Sequence, residues 1–217
     1  MKFQKYMAVG ILGLTMALGF SGCQSENQKN QDAYRKIGIN SMAEGDYDKA
    51  VKSFQKALDT SLGKIGAEEI DICYYKAAAQ FAKKDYDGAI ETYTSLIDYD
   101  KENANAYYLR GSVYLDTDKK DKAFKDYKNA VKYAGREYEI YEGIYETLTN
   151  KGETEEAKNY LKKALDIKPK DGADYAEQGH VYYLLEDYTQ AKSSLDRAID
   201  KDDKTALLYL AEVYNAT

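Results

Sequence analysis

The stretch that decides the fold is Gly45-Asp46-Tyr47-Asp48-Lys49-Ala50-Val51-Lys52-Ser53-Phe54-Gln55-Lys56-Ala57-Leu58. It reads as a turn at Gly45-Asp46 and then a helix, with small residues at Ala50 and Ala57 and an aromatic at Phe54. Asp46 stands where an N-cap belongs, and Asp48 places an acid in the first turn. Variants recur at Lys84-Asp85-Tyr86-Asp87-Gly88-Ala89 and Lys119-Lys120-Asp121-Lys122-Ala123. Two more follow, Gly152-Glu153-Thr154-Glu155-Glu156-Ala157 and Glu186-Asp187-Tyr188-Thr189-Gln190-Ala191. The closing alanines fall at 50, 89, 123, 157 and 191, so the last three intervals are 34 residues and the first is 39. A fixed period of that length marks a helical repeat array. A coiled coil would need sustained seven-residue spacing instead.

Composition agrees. One Pro, no Trp, 23 Tyr and 31% charged residues in 217 suit a mostly helical body. The formal charge is −6. Residues 1–22 hold Lys2 and Lys5 and no acid, so a chain starting at Cys23 would carry −8. That balance excludes nucleic acid as the expected partner, because phosphate binding needs clustered Lys and Arg. Basic pairs such as Lys162-Lys163 alternate with acids and read as solvated helix faces.

Ahead of the opening stretch, residues 32–43 read as a first helix that Gly45 ends. Taken together, Tyr34, Ile37, Gly38, Ala50, Phe54 and Ala57 resemble the tetratricopeptide repeat (TPR) pattern. The second repeat carries Cys73, Ala77, Ala89, Tyr93 and Leu96, and the third Tyr107, Gly111, Tyr114, Ala123, Tyr127 and Ala130. The fourth has Tyr141, Tyr145, Leu148, Ala157, Leu161, Ala164 and Pro169; the fifth has Tyr175, Gly179, Tyr182, Ala191, Leu195 and Ala198. The resemblance implies an all-α fold, a right-handed TPR solenoid of about five helix-turn-helix repeats plus a C-terminal capping helix. Expected repeats run about 31–64, 70–103, 104–137, 138–171 and 172–205, with the cap at 206–217. Tyr145 stands where the family has Gly, so looser or re-angled packing is expected in the fourth pair. The five-residue surplus falls in 59–66, where Gly63 and Gly66 make a longer loop and the expected point of flexing.

Residues 1–22 have a different character. Lys2 and Lys5 precede an apolar run from Met7 to Phe20, whose 14 residues are short for a bilayer span and suit the core of an export signal. The run ends in Phe20-Ser21-Gly22-Cys23, which resembles the bacterial lipoprotein lipobox. That resemblance implies a signal peptide over 1–22, cleavage before Cys23 and lipidation of its thiol, with 23–31 as a polar tether. A plain signal peptide or an uncleaved anchor helix are the alternatives. The chain has two Cys, so lipidation of Cys23 leaves Cys73 without a disulfide partner. Cys73 reads as a small buried residue, with a reactive thiol as the alternative.

Little in the sequence points to catalysis. His180 is the only His and belongs to no nucleophilic or metal-ligand spacing motif. Asp98-Tyr99-Asp100-Lys101-Glu102 begins like a calcium loop, but Asn103 stands where Gly is needed and Leu109 where the bidentate Glu is needed. No phosphate-cradling loop or nucleophile elbow occurs. No enzyme activity, cofactor or metal is expected.

A binding surface is easier to place. In the family this chain resembles, the first helix of each pair lines a concave side. Carried onto this sequence, that selects Asp32, Arg35 and Met42, then Asp71, Tyr74 and Phe81. It continues through Asn105, Tyr108, Ser112 and Leu115 to Glu139, Glu142 and Glu146, and ends with His180, Tyr183 and Tyr214. The family's carboxylate-clamp mode uses a Lys/Arg/Asn set there, of which only Arg35 and Asn105 are present. The three glutamates repel one another at one-turn spacing. They read either as a solvated face or as a groove for a basic and apolar segment. The expected function is a membrane-anchored extracytoplasmic scaffold that binds protein or peptide partners at the cell envelope. The alternatives are a structural subunit of an envelope assembly or secretion complex, and a cell-wall or carbohydrate-binding lipoprotein.

Overall fold

The computed structural model describes residues 26–61, 63 and 65–217. The export-signal run, Cys23, and Leu62 and Lys64 of the longer loop lie outside the described residues. Among the described residues there are eleven α-helices and no strand: α1 (Glu26–Ala43), α2 (Tyr47–Thr60), α3 (Ala67–Ala82), α4 (Tyr86–Tyr99), α5 (Ala104–Asp116), α6 (Lys120–Tyr133), α7 (Tyr138–Asn150), α8 (Thr154–Lys163), α9 (Gly172–Leu184), α10 (Tyr188–Ile199) and α11 (Thr205–Ala216). None of these helices is long and apolar enough to cross a membrane. The chain forms two compact units, one up to Ala130 and one from Val131.

Within each repeat the joint between helices is built the same way. One residue takes a left-handed backbone at Gly45 (φ 78°), Lys84 (66°), Asp118 (57°), Gly152 (80°) and Glu186 (66°). The next residue's N–H reaches back along the first helix, as from Asp46 to the Ser41 carbonyl at 2.8 Å and from Asp187 to Tyr182 at 2.9 Å. This is the Schellman ending, in which orphaned carbonyls of the first helix find donors. In three of the five repeats an aspartate then caps the second helix: Asp46 accepts from the Lys49 N–H, Asp85 from Gly88 and Asp187 from Gln190.

The second helices bury the periodic small-large-small face. Ala50, Phe54 and Ala57 are fully buried on α2, as are Ala123, Tyr127 and Ala130 on α6 and Ala191, Leu195 and Ala198 on α10. The large residue of each set lies on the glycine of its own first helix. A Cβ on Gly38 would stand 2.5 Å from Phe54 Cε1, one on Gly111 2.8 Å from Tyr127 Cε1, and one on Gly179 2.6 Å from Leu195 Cγ. Phe54 also stacks on Tyr75 of the next repeat, with ring centroids 5.6 Å apart. One ring therefore closes a pair and joins it to its neighbour.

Three expectations need amending. First, α1 begins at Glu26, so 26–31 is helix and not tether. Gln31 is buried and its Nε2 donates to Glu69 Oε1 at 2.7 Å, a cross-repeat bond that composition does not reveal. Second, the fourth repeat tightens into a 3₁₀ turn over Ala164–Asp166, and the hydroxyl of Tyr145 donates to the Leu184 carbonyl at 3.3 Å. Third, Cys73 is half-buried, not fully enclosed, although burial still holds its thiol above the ordinary range. The C-terminal helix α11 docks through Ala206 and Val213 and presents Leu207, Leu208 and Tyr214 to solvent beside Glu212 and Asn215.

Candidate partner-binding site

Expected groove residues in the first unit mostly satisfy one another. Arg35 on α1 pairs with Asp71 on α3, its Nε 2.9 Å from Oδ2, and its guanidinium lies 5.3 Å from the centre of the Tyr75 ring. Asp32 and Glu68 share a hydrogen bond; burial first, then Asp32, pushes the Glu68 carboxyl up to about 7. The Tyr74 hydroxyl donates to Asn103 Oδ1 at 2.7 Å, the same oxygen that caps α5 at Ala106. Phe81 meets Tyr86 edge-on, and Met42 packs against the core around Phe54. Asn105 is half-buried.

Tyr108, Ser112 and Leu115 are core residues, not groove residues. Ser112 is fully buried, its Oγ bonded to the Tyr108 carbonyl at 3.0 Å and 3.3 Å from the Tyr127 hydroxyl. Tyr108 packs on the Tyr127 ring. Tyr127, in the second helix, meets both Ser112 and Tyr108 on this face, a contact that the expectation for first helices does not contain.

In the second unit the first helices converge on His180. Its Nδ1 lies 2.9 Å from Oε1 of Glu142, and both side chains are mostly buried. The imidazole is parallel to Tyr209 at 4.3 Å and to Tyr183 at 6.1 Å. Glu177 sits one turn before His180 on α9 and bonds the Tyr209 hydroxyl. Tyr209 reaches this point because Ala206 and Val213, on the same face of α11, are buried in the core shared with α10.

Charge at this place is one-sided. Burial, then the carboxylates of Glu142 and Glu139, pushes Glu177 up to about 7, with His180 and the Tyr209 hydroxyl acting the other way. Burial pulls the His180 imidazole down, but the hydrogen bond to Glu142 and the charges of Glu142, Glu177 and Glu212 raise it above its ordinary value. The Tyr209 hydroxyl is raised by burial and by the same acids. Glu139 and Glu212 are exposed at the edge.

Of the expected groove residues, the fold brings Glu139, Glu142, His180 and Tyr183 together. Glu146 lies one turn past Glu142 on the same helix. Tyr214 lies beside Lys192 on α10, away from this cluster. Glu177, Tyr209 and Glu212 were missed. The signal for Glu177 was its one-turn spacing from His180; Tyr209 occupies a slot that reads as packing.

Comparison with known proteins bears on the repeat architecture. A TPR repeat model matches residues 77–118, and tetratricopeptide repeat models match 35–93, 104–136, 146–171 and 175–204. Anaphase-promoting complex subunit 3 of Schizosaccharomyces pombe is 21% identical over 87% of this chain, and tetratricopeptide repeat protein 13 of Homo sapiens is 27% identical over 65%. The chain spans 33% and 17% of their respective lengths. Among solved structures, TTC0263, a thermophilic TPR protein of Thermus thermophilus, superposes with a TM-score of 0.50 at 17% identity, covering 85% of this chain and 98% of that one. PilF of Pseudomonas aeruginosa gives 0.50 at 18% identity, covering 88% and 87%. With repeat models matching across most of residues 35–204, and with the buried small-large-small face found in the second helices, the chain belongs to the tetratricopeptide repeat family.

Proposed function

We propose that this protein is a membrane-anchored, extracytoplasmic scaffold of a bacterial cell envelope, and that its second unit captures a protein segment rich in basic and apolar side chains. The observation that carries the capture reading is the meeting of Glu139, Glu142, Glu177 and Glu212 around the parallel rings of His180, Tyr183 and Tyr209. Carboxylates at the edge attract Lys or Arg and set approach and salt dependence, while aromatic faces give a cation or an aliphatic stem a surface to rest on. The anchoring reading rests on the apolar run and the Phe20-Ser21-Gly22-Cys23 sequence. Helix-lined surfaces of this kind take extended or helical peptides.

The test is capture on the immobilised full chain, with bound proteins identified by mass and their bound segments mapped by protection from proteolysis. The reading expects net basic segments whose retention falls with salt. Acidic segments, or retention indifferent to salt, would contradict it. Anchoring is tested apart: Cys23→Ala should move the protein from the membrane fraction to the soluble fraction. A variant as membrane-bound as the parent would refute lipidation at that residue.

A further inference from the structure

Glu142, Glu177 and His180 come from two neighbouring first helices, and each offers one ligand atom such that all three lie within 4.8 Å of one another. We propose that these three side chains form a site for a divalent transition-metal ion of borderline softness, such as Zn2+. Two carboxylate oxygens and one imidazole nitrogen are a donor set suited to that class, and three protein ligands leave a position open. An ion with bonds of about 2.1 Å separates tetrahedral ligand atoms by about 3.4 Å. The widest separation in the cluster, at most 4.8 Å, would therefore close by up to about 1.4 Å, while Glu142 Oε1 and His180 Nδ1, now 2.9 Å apart, would open by about 0.5 Å.

Several features make this more than a patch of acid. The imidazole is flanked by the Tyr209 and Tyr183 rings, so its nitrogen direction is set before an ion arrives. The Tyr209 hydroxyl bonds Glu177 from outside the triad, the arrangement that orients metal-binding carboxylates elsewhere. His180 is the charge that eases Glu177 against its neighbouring carboxylates, and a doubly positive ion would balance both Glu142 and Glu177. Tyr138 is 2% exposed, its hydroxyl has no hydrogen-bond partner among the described residues, and it lies within electrostatic reach of Glu177. Glu139 and Glu212, left outside the triad, still face solvent, so ion binding does not depend on the capture reading and can be tested without a partner.

The chain has one His, so its imidazole signals in a ¹H–¹⁵N spectrum need no assignment. The full chain is titrated with Zn2+ alone, followed by those signals and by calorimetry, with Mg2+ as the comparison ion. The site predicts a saturable shift of the His180 signals at one equivalent of Zn2+ and none with Mg2+. Glu177→Gln and Tyr209→Phe should each weaken binding about tenfold or more. His180→Gln should abolish the one-equivalent isotherm while far-ultraviolet circular dichroism stays unchanged. His180 signals unmoved by Zn2+, signals moved equally by Mg2+, or an isotherm unchanged in His180→Gln would each overturn the proposal. The first two outcomes are read on the parent protein, so they hold even if a variant fails to fold.

Discussion

Gly38→Ala pits two opposing effects against each other at one methyl group. Alanine is the better helix former, by about 0.5–1 kcal/mol in a helix interior. If Gly38 were merely a tolerated helical residue, the substitution would raise stability. The structure sets the opposite expectation. The new Cβ would lie 2.5, 2.7 and 2.8 Å from Cε1, Cζ and Cδ1 of Phe54, and real carbon atoms do not approach so closely. The ring cannot swing away, because Phe54 is fully buried and stacked on Tyr75. Overpacking of this kind costs about 1–3 kcal/mol, so the net change is a loss of up to about 2.5 kcal/mol. At roughly 2–4 °C per kcal/mol for a chain of this size, the midpoint should fall by up to about 10 °C. Thermal unfolding of the full chain followed by circular dichroism measures it. Adding Phe54→Leu to Gly38→Ala should recover part of the loss, because the smaller side chain vacates the contested space. A Gly38→Ala variant more stable than the parent would refute the idea that glycine is there to admit the ring.

Three further outcomes follow from other contacts. Asp126 is 3% exposed and takes both Nε and Nη2 of Arg110, at 2.8 and 2.9 Å. Asp126→Ala should therefore destabilise by about 3–5 kcal/mol in urea unfolding, since it strands a part-buried guanidinium. Glu186 holds a left-handed backbone at φ 66°, and Glu186→Gly should stabilise by about 1 kcal/mol in the same assay by removing that strain. Glu68 is raised to about 7 from an ordinary 4.5, so the fold favours its neutral form. Stability from this group is present below about pH 4.5 and lost as pH rises toward 7, by a reduced amount because the side chain is partly exposed. The unfolding midpoint should fall over that window, and Glu68→Gln should flatten the fall.

Much of the fold can be read from the chain because the repeats state it five times. Asp46, Asp85 and Asp187 cap where their sequence position says, and the periodic alanines at 50, 123 and 191 are fully buried. Less can be read where a contact joins distant positions. Gln31 looks like tether until Glu69 holds it, and Ser112 looks like groove until the Tyr127 hydroxyl meets it. The same holds for the site. Glu139, Glu142, His180 and Tyr183 follow from the expectation that first helices line a concave side, but Glu177, on the same helix as His180, was not among the residues it selected. Tyr209 fills a slot that means packing in earlier repeats and here lies flat on His180. A periodic rule transfers helix faces, and it carries no information on the rotation by which one repeat meets the next.

The most direct test of the central claim is the salt dependence of affinity for a captured basic segment, compared between the parent and Glu139→Gln/Glu212→Gln. Both substituted residues are exposed at the edge of the acidic face and outside the Glu142–Glu177–His180 triad. The account predicts weaker binding at low salt and a shallower fall of affinity with added salt in the variant, as removal of edge charges requires. Equal affinity and equal salt dependence in the two proteins would contradict it.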